Sequence, residues 1–320
     1  MSRRLQVIVA MLALAGSTGP SPAAAGHRAL QARRLPLHAA PLAVTIVRGN
    51  PWVLAERGDA AVVIRPDPLS GAALALINVG RPGPDMGAIS FGGGRIWAAA
   101  GEQLVSIDPA RPASVLRRRL PGVANAISYG FGSVWVTTIG QRRHLLVRLD
   151  SRTFAVRARI WLTARTGETG EASGPSSVAA GLGSVWVAGF AALLRIDPKT
   201  DRIASYLFPT SPSATNLAIA QGRLWVLGGT TAAALDRHGH RSKVIRLPTA
   251  GGGIAVADNR LWIIDNCGCR QGTLLEINAR TRRTARRFAT GTTPIDVAAT
   301  PATAWVTTFA DGMLSSFTAG

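Results

Sequence analysis

Acidic residues are scarce in this chain: 17 Asp and Glu stand against 36 Lys and Arg in 320 residues, a formal net charge of +19. That balance favours anionic polymers or surfaces as partners. Cysteine is scarcer still. Cys267 and Cys269 are the only two, in "DNCGCRQG", and a zinc site would want two further ligands at ordinary spacing, which the neighbouring sequence lacks. No G-x-x-x-x-G-K-[ST], no G-x-S-x-G elbow and no H-E-x-x-H occurs. Phosphate cradling, serine hydrolysis and metalloprotease chemistry therefore find no support. The apolar run from Val7 to Ala15 is too short to span a bilayer.

What the sequence does have is a repeat. Gly130-Phe131-Gly132-Ser133-Val134-Trp135-Val136, followed by Leu145-Leu146-Val147-Arg148-Leu149-Asp150, is one copy of a cassette that recurs along the chain. Trp52, Trp97, Trp135, Trp186, Trp225, Trp262 and Trp305 hold one column, spaced 37 to 51 residues apart. A period of about 42 residues is that of a four-stranded propeller blade. Three residues before each Trp stand Gly49, Gly94, Gly132, Gly183, Gly222, Asn259 and Ala302. Five glycines and an asparagine point to a hairpin residue at positive φ. Seven before each Trp the residue is small (Thr45, Ser90, Ser128, Ala179, Ala218, Ala255, Ala298), and eight before it is large and apolar, which is the pattern of a strand packed between neighbouring sheets.

The third strand of each unit ends in Asp67, Asp108, Asp150, Asp197, Asp236 or Asn278. An Asp opening a type I turn caps it through its side chain, so these are read as structural and not as metal ligands. Cassettes such as "GLGSVWVAGFAALLRIDPKTDRIASYL" resemble those of the secreted YVTN-type and virginiamycin B lyase-like propellers of bacteria, over roughly residues 42 to 320. The motifs behind the resemblance are those that build a blade.

Residues 1–25 read as a signal peptide, with Arg3 and Arg4, the apolar run, and Ala23-Ala24-Ala25 before Gly26. No cysteine lies near that cleavage site, so a soluble secreted protein is expected and not a lipoprotein. The segment carries two arginines and no acid, which leaves +17 on the mature chain. Residues 42–320 then form one seven-bladed β-propeller, all-β, but the last blade supplies only three strands. Arg33-Arg34-Leu35-Pro36 matches the fourth-strand ending Ile245-Arg246-Leu247-Pro248. Residues 26–41 are therefore expected to close the ring, with Leu30 to Pro36 as the outer strand of the last blade.

Three sets of residues are candidates for function. Cys267 and Cys269 are open to a disulfide, which an exported protein favours, to free thiols, or to a thiolate metal site. The resemblance implies, for a lyase or lactone-opening enzyme, a histidine general base beside acidic residues holding a divalent cation; His144, Asp265, Asp296, Asp311 and Glu168 are the residues at the loop mouth that would supply them. The alternative for His144 is a solvated loop residue. Basic residues gather in or beside the predicted outer strands, among them Arg117, Arg118, Arg119, Arg282, Arg283, Arg286 and Arg287. Such a belt either guards the sheet edges against aggregation or binds an anionic envelope polymer or membrane surface. The longest connection, Thr163 to Pro175, is open to reading as a tolerated loop or as a lid.

The first expectation is a secreted, monomeric, non-enzymatic binding scaffold without a resident metal or cofactor. Its partner is an anionic polymer, a membrane surface or another protein, and not a specific nucleic acid. A quinone-dependent oxidoreductase gets little support, because the repeats show the Trp column without a longer docking motif.

Overall fold

The computed structural model describes residues 32–83, 87–140, 144–162, 174–189, 192–207, 214–265 and 271–318. The chain enters as β1 (Arg33–Pro36). Blade one follows as β2 (Ala40–Val47), β3 (Asn50–Arg57), β4 (Ala60–Pro66) and β5 (Ala73–Gly80), and blade two as β6 (Gly87–Gly92), β7 (Arg95–Ala100), β8 (Gln103–Asp108) and β9 (Arg111–Arg119). Blade three is β10 (Val123–Gly130), β11 (Ser133–Ile139), β12 (Leu145–Asp150) and β13 (Val156–Trp161); blade four is β14 (Pro175–Gly181), β15 (Ser184–Gly189), β16 (Leu193–Asp197) and β17 (Arg202–Leu207). Blade five is β18 (Asn216–Ala220), β19 (Arg223–Gly228), β20 (Thr231–Leu235) and β21 (Arg241–Arg246); blade six is β22 (Gly251–Ala257), β23 (Arg260–Asp265), β24 (Gly272–Asn278) and β25 (Thr284–Gly291). Blade seven holds β26 (Pro294–Ala299), β27 (Thr303–Thr308) and β28 (Met313–Thr318).

Each blade is an antiparallel sheet of four strands, and in blade seven the fourth is β1, paired on β28 with Arg33 opposite Ser316 and Pro36 opposite Met313. The chain is therefore a seven-bladed propeller closed by its N-terminal strand. Leu35, 1% exposed, seals the closure by packing with Val53, Ile64, Trp305 and Leu314. Leu30 and Gln31, expected in the same strand, lie outside the described residues.

The packing explains the columns read in the sequence. Every repeat Trp stands directly across from the small residue seven positions earlier, as Ser90 from Trp97 and Ala179 from Trp186. Cross-strand partners share a face, so an indole on the second strand needs a small neighbour on the first. The apolar residues collect in seven clusters, one at each blade-to-blade interface. Core formation is thus distributed around the ring, and each cluster joins neighbours in chain order except the one between blades seven and one.

The two-residue hairpins behave as expected where glycine is present: Phe131 and Gly132 take φ of 55 and 67, the pair of positive values a type I′ turn requires. Blade six differs. There Asp258 is left-handed (φ 50) and Asn259 is not; the Asn259 amide instead donates to Asn278 Oδ1 at 3.2 Å. A side-chain bond to the neighbouring turn takes the place of the backbone conformation.

Candidate functional site

The turns between third and fourth strands confirm the capping role of their acids. Asp67 Oδ1 accepts the N–H groups of Leu69 and Ser70, and Asp150 Oδ1 those of Arg152 and Thr153. Asp108, Asp197, Asp236 and Asn278 do the same for their own turns. Hydrogen bonds to the ionised form favour it. The backbone N–H groups of Ser70 and Leu69 accordingly hold Asp67 below the usual carboxylate range. At Asp236 burial opposes the shift, yet the N–H groups of His240 and His238 bring the pKa down to about 2.

At the loop mouth the expected carboxylates are each engaged separately. Asp265 is buried, and its Oδ1 accepts the Thr249 N–H at 3.1 Å together with the Thr249 hydroxyl. Asp311 is exposed and accepts the Thr292 N–H at 2.7 Å; a side chain at Gly291 would strike its carboxylate. Asp296 lies between the innermost strands of blades seven and one. Its Oδ2 accepts the Val44 N–H and its Oδ1 the Val297 N–H, both at 2.9 Å. It keeps some accessible surface, yet protein atoms enclose it, and that desolvation pushes its pKa up to about 6 against the two backbone donors.

His144 is half-buried, its Nδ1 is enclosed without a hydrogen-bond partner among the described residues, and burial lowers its pKa. Among the described residues no three His, Cys, Asp or Glu side chains converge as a group able to hold a metal. Cys267 and Cys269, Glu168, and the 163–173 part of the longest connection lie outside the described residues.

Asp296 belongs to a wider device that sequence reading missed. Ser177 Oγ accepts the Leu217 N–H at 3.2 Å, and Ser128 Oγ the Ala180 N–H at 3.0 Å. An innermost strand has one edge without a strand partner, and its N–H groups need acceptors. Polar side chains of the preceding blade supply them. The signal was a polar residue in an otherwise apolar strand, but its partner sits on another blade and leaves no local trace.

The basic residues divide into two populations. Arg65, Arg148 and Arg195, each across the sheet from a repeat Trp, lie over the rings of Trp52, Trp135 and Trp186 at 5.9, 5.0 and 6.0 Å. These cations are absorbed by the fold. Arg118 is half-buried over Phe154 at 5.5 Å. Arg286 is bound at 2.6 Å to Glu276, which is 3% exposed and is gripped on its other oxygen by Arg260 at 2.9 Å.

The second population faces outward. Arg117, Arg119, Arg282, Arg283 and Arg287 are exposed, as are Arg33, Arg34, Arg157, Arg159, Arg202 and Arg246. Arg117 donates to the carbonyls of Asn78 and Val79 in β5, while Arg119 pairs with Glu102. Successive strand residues face opposite ways. Arg117 and Arg119 consequently lie on the blade-one side of β9, and Arg118 on the blade-three side, so the triplet is not one patch. Arg286 and Arg287 are parted in the same way.

No family model matches the chain. No curated protein matches it. Among solved structures, the β-propeller domain of Cps50 (Swd1) from Myceliophteria thermophila is similar with a TM-score of 0.69, covering 88% of this chain and 97% of that one at 11% identity. The computationally designed Ika8 protein is similar with a TM-score of 0.62, covering 92% of this chain and all of its own, also at 11% identity. Likeness at that identity is likeness of fold.

Proposed function

We propose that the chain is exported, loses residues 1–25 as a signal peptide, and works outside the cytoplasm as a non-enzymatic scaffold that binds an anionic polymer of the cell envelope. The cassettes support a place beside the secreted YVTN-type and virginiamycin B lyase-like propellers. One observation carries the binding reading: the outer strands of blades two to seven all display exposed arginine, while the acids at the turns are tied to their own backbone. A circumference of that kind attracts polyanions over a Debye length. Asp265, Asp296 and Asp311 each hold a backbone N–H, which supports the scaffold over a cation-dependent lyase.

The test is affinity for dextran sulfate across a salt series. Log affinity is expected to fall linearly with log salt, and the slope to shrink by about one for each lost contact in Arg283→Gln/Arg287→Gln and in Arg33→Gln/Arg34→Gln. Changing His144 or Asp311 is expected to leave it alone. Binding that ignores the rim and disappears with the loop-mouth changes would overturn the reading.

A further inference from the structure

One outer strand breaks the cationic pattern. β5, Ala73-Leu74-Ala75-Leu76-Ile77-Asn78-Val79-Gly80, has no charged residue, whereas β1, β9, β13, β17, β21 and β25 all carry basic ones. Its odd positions Ile77 and Val79 are buried against blade two. The even positions face away, leaving Leu74 57% and Leu76 47% exposed, and Leu69 on the turn leading into the strand is 68% exposed. Three of the seven large apolar side chains exposed on the described surface therefore belong to this one edge.

Cations stand at both ends of the strip. At the turn, Arg33 is close enough to act on the charge of Asp67, whose carboxylate holds the Leu69 N–H; Arg34 is exposed on the opposite face of β1. At the other end the Arg117 guanidinium sits on the carbonyls of Asn78 and Val79 at 2.7 and 3.2 Å, and no carboxylate among the described residues pairs with it. That contact bears on what can dock. A partner strand adding to β5 needs those edge groups free, and would leave Leu69, which lies outside the strand, uncovered. A second copy would bring together two mature chains of formal charge +17.

An anionic lipid surface meets both features. Leucines enter the boundary between headgroups and acyl chains, and flanking arginines keep their charge among the phosphates. We infer that the blade-one sector, Leu69, Leu74 and Leu76 between Arg33 and Arg117, is a docking face for an anionic membrane surface. The inference rests on the envelope reading above and adds a lipid partner for this sector.

The experiment uses the chain from Gly26 to Gly320, which keeps every described residue, and flotation with phosphatidylcholine vesicles holding about 30% phosphatidylglycerol, or none. Binding is expected only to the anionic vesicles. Leu74→Ser/Leu76→Ser is expected to weaken it at least about tenfold at fixed salt, with affinity for dextran sulfate unchanged and Leu74→Ile/Leu76→Ile close to wild type. Equal vesicle binding by the serine variant, or none by wild type, overturns the lipid inference and leaves the rim reading standing. A lower melting temperature for the serine variant without vesicles would mean the leucines are covered by the chain itself or by a folded neighbour, and overturns it as well.

Discussion

The carboxylate of Asp296, on the innermost strand of the last blade, accepts the backbone N–H of Val44, on the innermost strand of the first, at 2.9 Å across 252 positions of sequence. The bond ties the two ends of the ring together at its centre, as β1 on β28 ties them at the rim. The site is desolvated, and the pKa is pushed up to about 6. The folded protein thus holds a proton that the unfolded chain releases near pH 4. A raised carboxylate contributes stability that is fully present below the unfolded pKa and is lost as pH rises through the folded one. The loss is expected to be at most about 3 kcal/mol. Urea midpoints measured from pH 4 to 7 should show the fall, and Asp296→Asn, which keeps an acceptor without the charge, should flatten it. An unchanged fall in the variant would assign it to another group.

Closure at the rim gives a second expectation. Leu35→Ala removes a 1% exposed side chain from the cluster between blades seven and one and is expected to cost about 2–5 kcal/mol. The denaturant midpoint should drop without a change in slope. A midpoint within experimental scatter of wild type would mean that β1 only rests on β28.

The third concerns the triad inside blade six. Glu276→Gln leaves the Arg260 and Arg286 guanidinia, at 30% and 22% side-chain exposure, without their shared counter-charge. Removing one partner of a buried ionic group is expected to cost about 3 kcal/mol or more. Arg286→Gln should cost less, since Arg260 still neutralises the carboxylate. Equal costs would show that the two arginines are not redundant.

The fold was legible because each physical demand recurs from blade to blade. An indole opposite a small residue and a carboxylate capping its own turn lie within one cassette, so their signals line up in columns. Even the missing strand could be read, since Arg33-Arg34-Leu35-Pro36 copies an ending found elsewhere. The proposed binding surface was legible only in its amount of charge. Whether an arginine faces outward depends on strand alternation, which separates Arg117 from Arg118, and on partners such as Glu276 that take Arg286 out of the belt. The leucine edge at blade one was not read from the sequence, because its exposure depends on which face the neighbouring blade covers.

The last expectation comes from a swap within the repeat. In blades three and four a serine two residues before the Trp receives the Nε–H of an arginine across from that Trp: Arg148 to Ser133 at 2.9 Å and Arg195 to Ser184 at 3.1 Å. In blade two the residues are exchanged, and Arg95 donates to Ser106. One guanidinium and one hydroxyl thus fill the same space in either order, which makes the pair a coupled unit. Arg195→Ser strands the hydroxyl of Ser184, itself 3% exposed, and Ser184→Arg sets two cations side by side; each is expected to cost about 1–3 kcal/mol. The double variant recreates the blade-two order. Its cost should be at least about 1 kcal/mol below the sum of the singles in a double-mutant cycle of urea midpoints. Strict additivity would mean that each arginine is held by its Trp alone, with the serine a bystander.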